Sequence, residues 1–173
     1  DCIQDGSRFG MEVQYSFDGP ELLGTGGAIR HALPLLGSYF FVIYGDSYLS
    51  CNYLDIWKVF TQDTKPALMT IFRNEGEWDR SNVEFSGGAI RAYSKRFKTP
   101  RMRHIDYGIG VFQNAVFRNE EPDAPGDLSL IYERLAASGQ LAAFEAEHRF
   151  YEIGSLKGIE ELSRHLTRCG SVQ

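Results

Sequence analysis

Nowhere in its 173 residues does the chain carry an apolar run approaching the ~18 residues of an α-helical membrane span. No secretory leader opens it, so no membrane partner is expected and the cytoplasm is the expected compartment. Cysteine is scarce. Cys2, Cys51 and Cys169 lie far apart, with no CxxC or similar metal spacing, and suit reduced thiols. Positive charge is in deficit. The 18 Lys and Arg against 23 Asp and Glu give a formal net charge of -5, which argues against a nucleic-acid partner. Lys95, Arg96, Lys98, Arg101 and Arg103 are a local exception, read as a solvated loop, with phosphate attraction as the sharper alternative. His31, His104, His148 and His165 form no HxH, HExxH or nucleophile–base pattern, and no GxSxG elbow occurs. They read as structural or surface residues, and Trp57 and Trp78 as packing residues.

The 43% hydrophobic and 13% aromatic content is enough for one domain with a real core over residues 1–173. Met11–Phe17 alternates apolar and polar residues and predicts a short strand. A helix is expected from about Gly26 to Leu36, capped by Thr25 and distorted near its end by Pro34. Tyr39–Tyr44 is almost wholly apolar, the pattern of a strand buried on both faces in a parallel sheet. Tyr53–Phe60 predicts a helix and Ala67–Phe72 a second apolar strand. Asn82–Phe85 and Ala89–Lys95 predict a hairpin about Ser86-Gly87-Gly88. His104–Phe112 and Leu141–Tyr151 read as strands, Leu128–Ala137 and Ile159–Leu166 as helices, and Asn119–Asp127 as a loop. The alternation of strands and helices argues for an α/β fold with a mixed, mostly parallel sheet flanked by helices.

Two linked segments carry the strongest functional signal. In LGTGGAI, Leu23–Ile29, three glycines strip side chains from the start of a helix, so a phosphate or base can approach backbone N–H groups. A tight turn would explain them equally. The spacing is neither a P-loop nor GxGxxG. The second segment, YFFVIYGDSYL, ends its strand on Asp46, where ligands gather in open parallel sheets. Magnesium needs only one or two carboxylates beside water and phosphate oxygens. Capping of the next helix is the competing role for Asp46. Glu152 repeats the logic of an acid after an apolar strand, followed by a turn and a helix, and alone would be a surface acid. Lys95 is a point charge suited to a phosphate, or a solvated lysine on an edge strand. Asp106 and Gly108 offer a hydroxyl acceptor and a close backbone approach, or simply a bulged strand.

Taken in order, LGTGGAIRHAL, FFVIYGDSYL, AYSKR, HIDYGIGVF and RFYEIGSLKGIEEL resemble the sugar-1-phosphate nucleotidyltransferases, in particular bacterial heptose- and hexose-1-phosphate guanylyltransferases. The resemblance runs across nearly the whole chain. It implies a Rossmann-like nucleotidyltransferase fold that condenses a nucleoside triphosphate with a sugar 1-phosphate and releases pyrophosphate, with Mg2+ as cofactor. It places nucleotide contacts on Leu23, Gly24, Thr25, Gly26 and Gly45. The metal falls on Asp46 and Glu152, where the family commonly has Asp at the second position. Lys95 takes the sugar phosphate, and Asp106, Tyr107 and Gly108 take the sugar. The family's opening strand and glycine-rich signature, whose Arg and Lys grip the triphosphate, have no counterpart here. The first βαβ portion is therefore expected to be missing and the chain as given to be an impaired enzyme. The alternative expectation is a non-catalytic remnant that binds sugar nucleotides or oligomerises. A glycosyltransferase is a more distant competitor, since Asp46-Ser47-Tyr48 lacks the second acid of a DxD motif.

Overall fold

In the computed structural model, residues 2–118 and 124–170 are described, without the side chains of residues 169 and 170. The expected loop Asn119–Asp127 therefore lies partly outside the described residues, as does the Cys169 side chain. Along the chain come α1 (Gly24–Ala32), β1 (Tyr39–Ile43), β2 (Ser47–Tyr48), α2 (Tyr53–Gln62), β3 (Ala67–Arg73), β4 (Val83–Ser86), β5 (Ala89–Tyr93), β6 (His104–Gln113), α3 (Leu128–Ala137), β7 (Leu141–Ala146), β8 (Tyr151–Glu152) and α4 (Leu156–Gly170). Pro34 does end α1, in a 3-10 turn at Leu33–Leu35. Asn52 caps α2 by accepting from the Leu54 N–H at 3.0 Å.

The long strand β6 organises a six-stranded sheet. It pairs antiparallel with β3 along one edge, while β1 and β4 share the other, β1 opposite Ile109–Gln113 and β4 at His104. β7 lies beyond β3 and is parallel to it; β5 lies beyond β4. The expected mixed α/β sheet is present, but the expectation of mostly parallel pairing is corrected, since among the described residues only β3–β7 is parallel. The sheet is covered on both faces, and antiparallel strands under double cover carry the same unbroken apolar runs as parallel ones. On one face α3 packs Leu128, Ile131, Tyr132 and Leu135 against Met69, Ile71 and Phe112. On the other, α2 packs Ile56 and Phe60 against Leu68, Tyr107 and Val111. Burying side chains of this size stabilises the fold by about 1.5–3 kcal/mol each.

Three other expectations are corrected. Tyr39–Tyr44 is not a doubly buried central strand: β1 pairs only with β6 among the described residues, and Tyr39 and Ile43 are exposed. Met11–Phe17 lies outside any strand, with Met11, Tyr15 and Phe17 exposed. Alternation becomes a strand only where a partner edge is in reach. Its bonds run instead to the preceding turn, from the Met11 N–H to Gly6 O and the Val13 N–H to Asp5 O. Leu141–Tyr151 is not one strand: β7 stops at Ala146, and the chain turns before the two-residue β8, which joins β2 in a separate ladder.

Candidate functional site

The end of β1 and the β2–β8 ladder bring two distant acids together. Ser47 pairs with Glu152 across the ladder, and the Ile153 N–H donates to Asp46 O at 2.7 Å. A Cβ built on Gly154 would overlap Glu152 Oε1 and lie 3.7 Å from Asp46 Oδ2, so both carboxylates face one small space beside Gly154. Glu152 is oriented by its own turn, accepting from the Gly154 N–H at 2.7 Å and the Ser155 hydroxyl at 3.4 Å. Ser155 also caps α4, accepting from the Gly158 N–H. Asp46 accepts from the Ser47 hydroxyl at 3.4 Å. It does not cap the following helix, because Asn52 does, so its exposed carboxylate is left facing the site. Two convergent, exposed carboxylates with room around them suit a magnesium ion, which keeps several waters and takes its remaining ligands from phosphate. Among the described residues no third His, Cys, Asp or Glu joins them in a closed metal cage.

Gly108 builds the floor. It sits at φ +88° in a β-bulge, where residues 107–109 of β6 oppose the single Thr70 of β3. The bulge aims its carbonyl at the Tyr44 N–H (2.9 Å) and places its Cα where a Cβ would come within 3.3 Å of Ser47 Oγ. Asp106, partly buried, accepts from the Gly108 N–H at 3.0 Å and the Tyr44 hydroxyl at 3.1 Å, while its own N–H donates to Asn82. Burial pushes the Asp106 carboxyl above its usual range, against the opposing pull of those donors and of Lys95. Asp106 and Gly108 thus stand beside Tyr44 and Ser47, which flank Asp46 in the chain. Tyr107, expected with them in the segment at the sugar, directs its side chain elsewhere. Strand alternation turns it to the opposite face, where it is fully buried against Phe72 and Phe150.

The glycine-rich turn is committed differently from expectation. Thr25 lies inside α1, and its hydroxyl accepts from the Leu128 N–H at 3.0 Å, capping α3 rather than its own helix. The N–H groups of Gly26 and Gly27 donate to Gly126 O, at 2.8 and 3.2 Å. Leu23 is buried, its N–H on Asp18 and its carbonyl accepting from Gly126. Gly24 sits at φ +69°, and a Cβ there would come within 2.7 Å of Gly126 O. The glycines therefore serve a close approach of chain to chain at residues 124–128. Gly45, in contrast, is exposed, with nothing within 4 Å of where a Cβ would stand.

Lys95 stands two residues beyond β5, exposed, its Nζ 3.2 Å from Asp127 Oδ1. Asp127 is the residue that motif reading passed over. It caps α3 through the Ser129 N–H at 2.8 Å and also meets the Thr25 hydroxyl at 3.4 Å. Burial opposes its ionisation, but the Ser129 N–H and Lys95 outweigh it and hold the carboxyl below its usual range. An acid just before an apolar helical run was the available signal. The other basic residues of this stretch behave as a loop, Arg101 pairing with Glu84 and Arg103 with Glu75.

No protein-family model matches the chain. Solved structures do resemble it. A Bacillus anthracis protein assigned as a glucose-1-phosphate thymidylyltransferase, in complex with sucrose, aligns over 92% of this chain with a TM-score of 0.79 and 17% identity. HddC from Yersinia pseudotuberculosis complexed with GMP-PN aligns over 85%, with a TM-score of 0.67 and 18% identity. The inositol-1-phosphate CTP transferase of T. maritima aligns over 79%, with a TM-score of 0.64 and 18% identity. The chain spans 67%, 64% and 58% of those proteins' own lengths. At these identities the likeness is one of fold: the chain adopts the fold of sugar-1-phosphate nucleotidyltransferases. No helix among the described residues is long and apolar enough to cross a membrane.

Proposed function

We propose that the chain carries the metal and sugar-phosphate half of a nucleotidyltransferase that joins a nucleoside triphosphate to a sugar 1-phosphate in the cytoplasm. The observation that carries this reading is the convergence of Asp46 and Glu152 beside Gly154, on a fold shared with enzymes of that class. A magnesium ion held there would draw charge from the transferring phosphoryl group and align it for in-line attack. A sugar-phosphate oxygen would form the new bond to the nucleotide α-phosphorus as the bond to pyrophosphate breaks. Lys95 would balance the sugar phosphate, exchanging Asp127 for it, and Asp106, set by Tyr44 and Gly108, would accept a sugar hydroxyl. Gly45 lies open beside Asp46 for the nucleotide. Homo-oligomers are compatible with this reading.

A non-catalytic, sugar-nucleotide-binding role is the second reading. It is favoured by the Gly26 and Gly27 N–H groups, which are committed to Gly126 rather than open to a triphosphate. Thermal-shift titration with nucleoside triphosphates, sugar 1-phosphates and sugar nucleotides, with and without Mg2+, followed by a pyrophosphate-release assay, tests both. Mg-dependent stabilisation together with pyrophosphate release supports the enzyme. Stabilisation by sugar nucleotides without turnover supports the second reading. No stabilisation by any of these ligands overturns both.

A further inference from the structure

Glu152 sits on a strand of two residues, and a ladder that short is a weak anchor. The bonds to its carboxylate come from Gly154 and Ser155 of the same turn, so they orient the acid without fixing the turn to the rest of the protein. The firmer tie is three residues upstream. The Arg149 guanidinium carbon lies 3.7 Å from the centre of the Trp78 ring and 4.5 Å from that of Tyr151. Its Nη2 bonds Glu161 Oε2 at 2.8 Å, both side chains less than a quarter exposed, and its Nε–H donates to Phe150 O. One planar cation thereby joins the loop before β4, the strand β8 and helix α4. Tyr151 is backed in turn by the His165 ring, stacked at 4.6 Å, and faces Tyr48 across the ladder.

We propose that Arg149 is a positioning residue for Glu152, holding the second acid of the candidate metal site opposite Asp46 through Trp78, Tyr151 and Glu161. The inference rests on the reading that Asp46 and Glu152 share a divalent cation. Arg149 touches neither acid. It acts by setting the height and tilt of the β8 backbone that carries Glu152. A lysine would keep a charge for Glu161 but lacks the plane that two aromatic rings and a carboxylate engage at once. Residues that orient metal ligands from behind typically change metal affinity about 10- to 100-fold when replaced.

The test is Mn2+ binding to the full chain, read by water-proton relaxation with the metal alone and accompanied by far-UV circular dichroism. Arg149→Met is expected to weaken Mn2+ binding at least about 10-fold. It is expected to cause no further loss when Glu152 is already Gln, because its effect passes through that acid. An equal loss in both backgrounds would mark a general disturbance of the fold and overturn the inference, as would unchanged binding in the single variant. Should Arg149→Met fail to fold, Arg149→Lys is measured in the same two backgrounds, with the same outcomes deciding. Equal Mn2+ binding by wild type and Asp46→Asn would show instead that the shared-cation reading itself fails.

Discussion

The Tyr44 hydroxyl donates to Asp106 Oδ2 at 3.1 Å, joining the residue after β1 to the first part of β6 at the floor of the site. Burial raises the Asp106 carboxyl pKa, so between the unfolded carboxylate value and that raised value the folded state binds more protons than the unfolded one. Ionised Asp106 therefore costs stability as pH rises through this window. Asp106→Asn removes the titration. Its stability relative to wild type is expected to improve from about pH 4 upward until Asp106 is fully ionised, then to level off. Urea unfolding of both proteins across this range measures it, and a constant difference would contradict the account.

Tyr44→Phe removes a hydrogen bond to a partly buried acid. A loss of about 1–3 kcal/mol is expected at a pH where Asp106 is ionised, and a smaller one where it is protonated, because charge-assisted bonds are the stronger ones. Chemical denaturation at the two pH values compares them.

Lys95 and Asp127 form a pair about half exposed, so Lys95→Met is expected to change stability by less than about 1 kcal/mol. Asp127→Ala also uncaps α3 and is expected to cost about 1–2 kcal/mol. The lowered Asp127 pKa adds stability that is present above the unfolded carboxylate value and lost as pH falls through the folded one. Lys95→Met should flatten that acid limb. Under the proposed function the same variant should weaken sugar 1-phosphate binding, read by calorimetry, far more than it weakens the fold.

Gly24→Ala and Gly45→Ala should part company. The first forces a Cβ against Gly126 O at positive φ, and a loss of about 2 kcal/mol or more is expected. The second meets nothing, so stability should stay within about 0.5 kcal/mol. A loss of nucleotide affinity in a stable Gly45→Ala chain, seen by thermal shift, would place the ligand against Gly45 directly.

Much of this was legible in the residues. The apolar run before Asp46, the Gly87-Gly88 hairpin turn and the acid ahead of Gly154-Ser155 each follow from local chemistry: an apolar strand, two positive-φ glycines and a capped helix start. What stayed hidden depended on partners far along the chain. The direction of β1 is set by β6, which local pattern does not encode. The glycines of the first turn read as open to a ligand because Gly126, which occupies their N–H groups, lies about a hundred residues away in sequence. Asp127 escaped notice for the same reason, since half its role is Lys95. Tyr107 shares its motif with Asp106 and Gly108, yet simple strand alternation buries its side chain on the other face.

The ladder of β2 and β8 has a mechanical consequence. It is not part of the main sheet, yet it ties the segment after β1 to the start of α4, enclosing about a hundred residues of chain. Closing so long a loop costs chain entropy on folding, and that cost grows only slowly with length. An ion gripped from both rims would act as a removable staple at this closure. Its arrival would be felt as cohesion between the two ends of that loop before it was felt as chemistry.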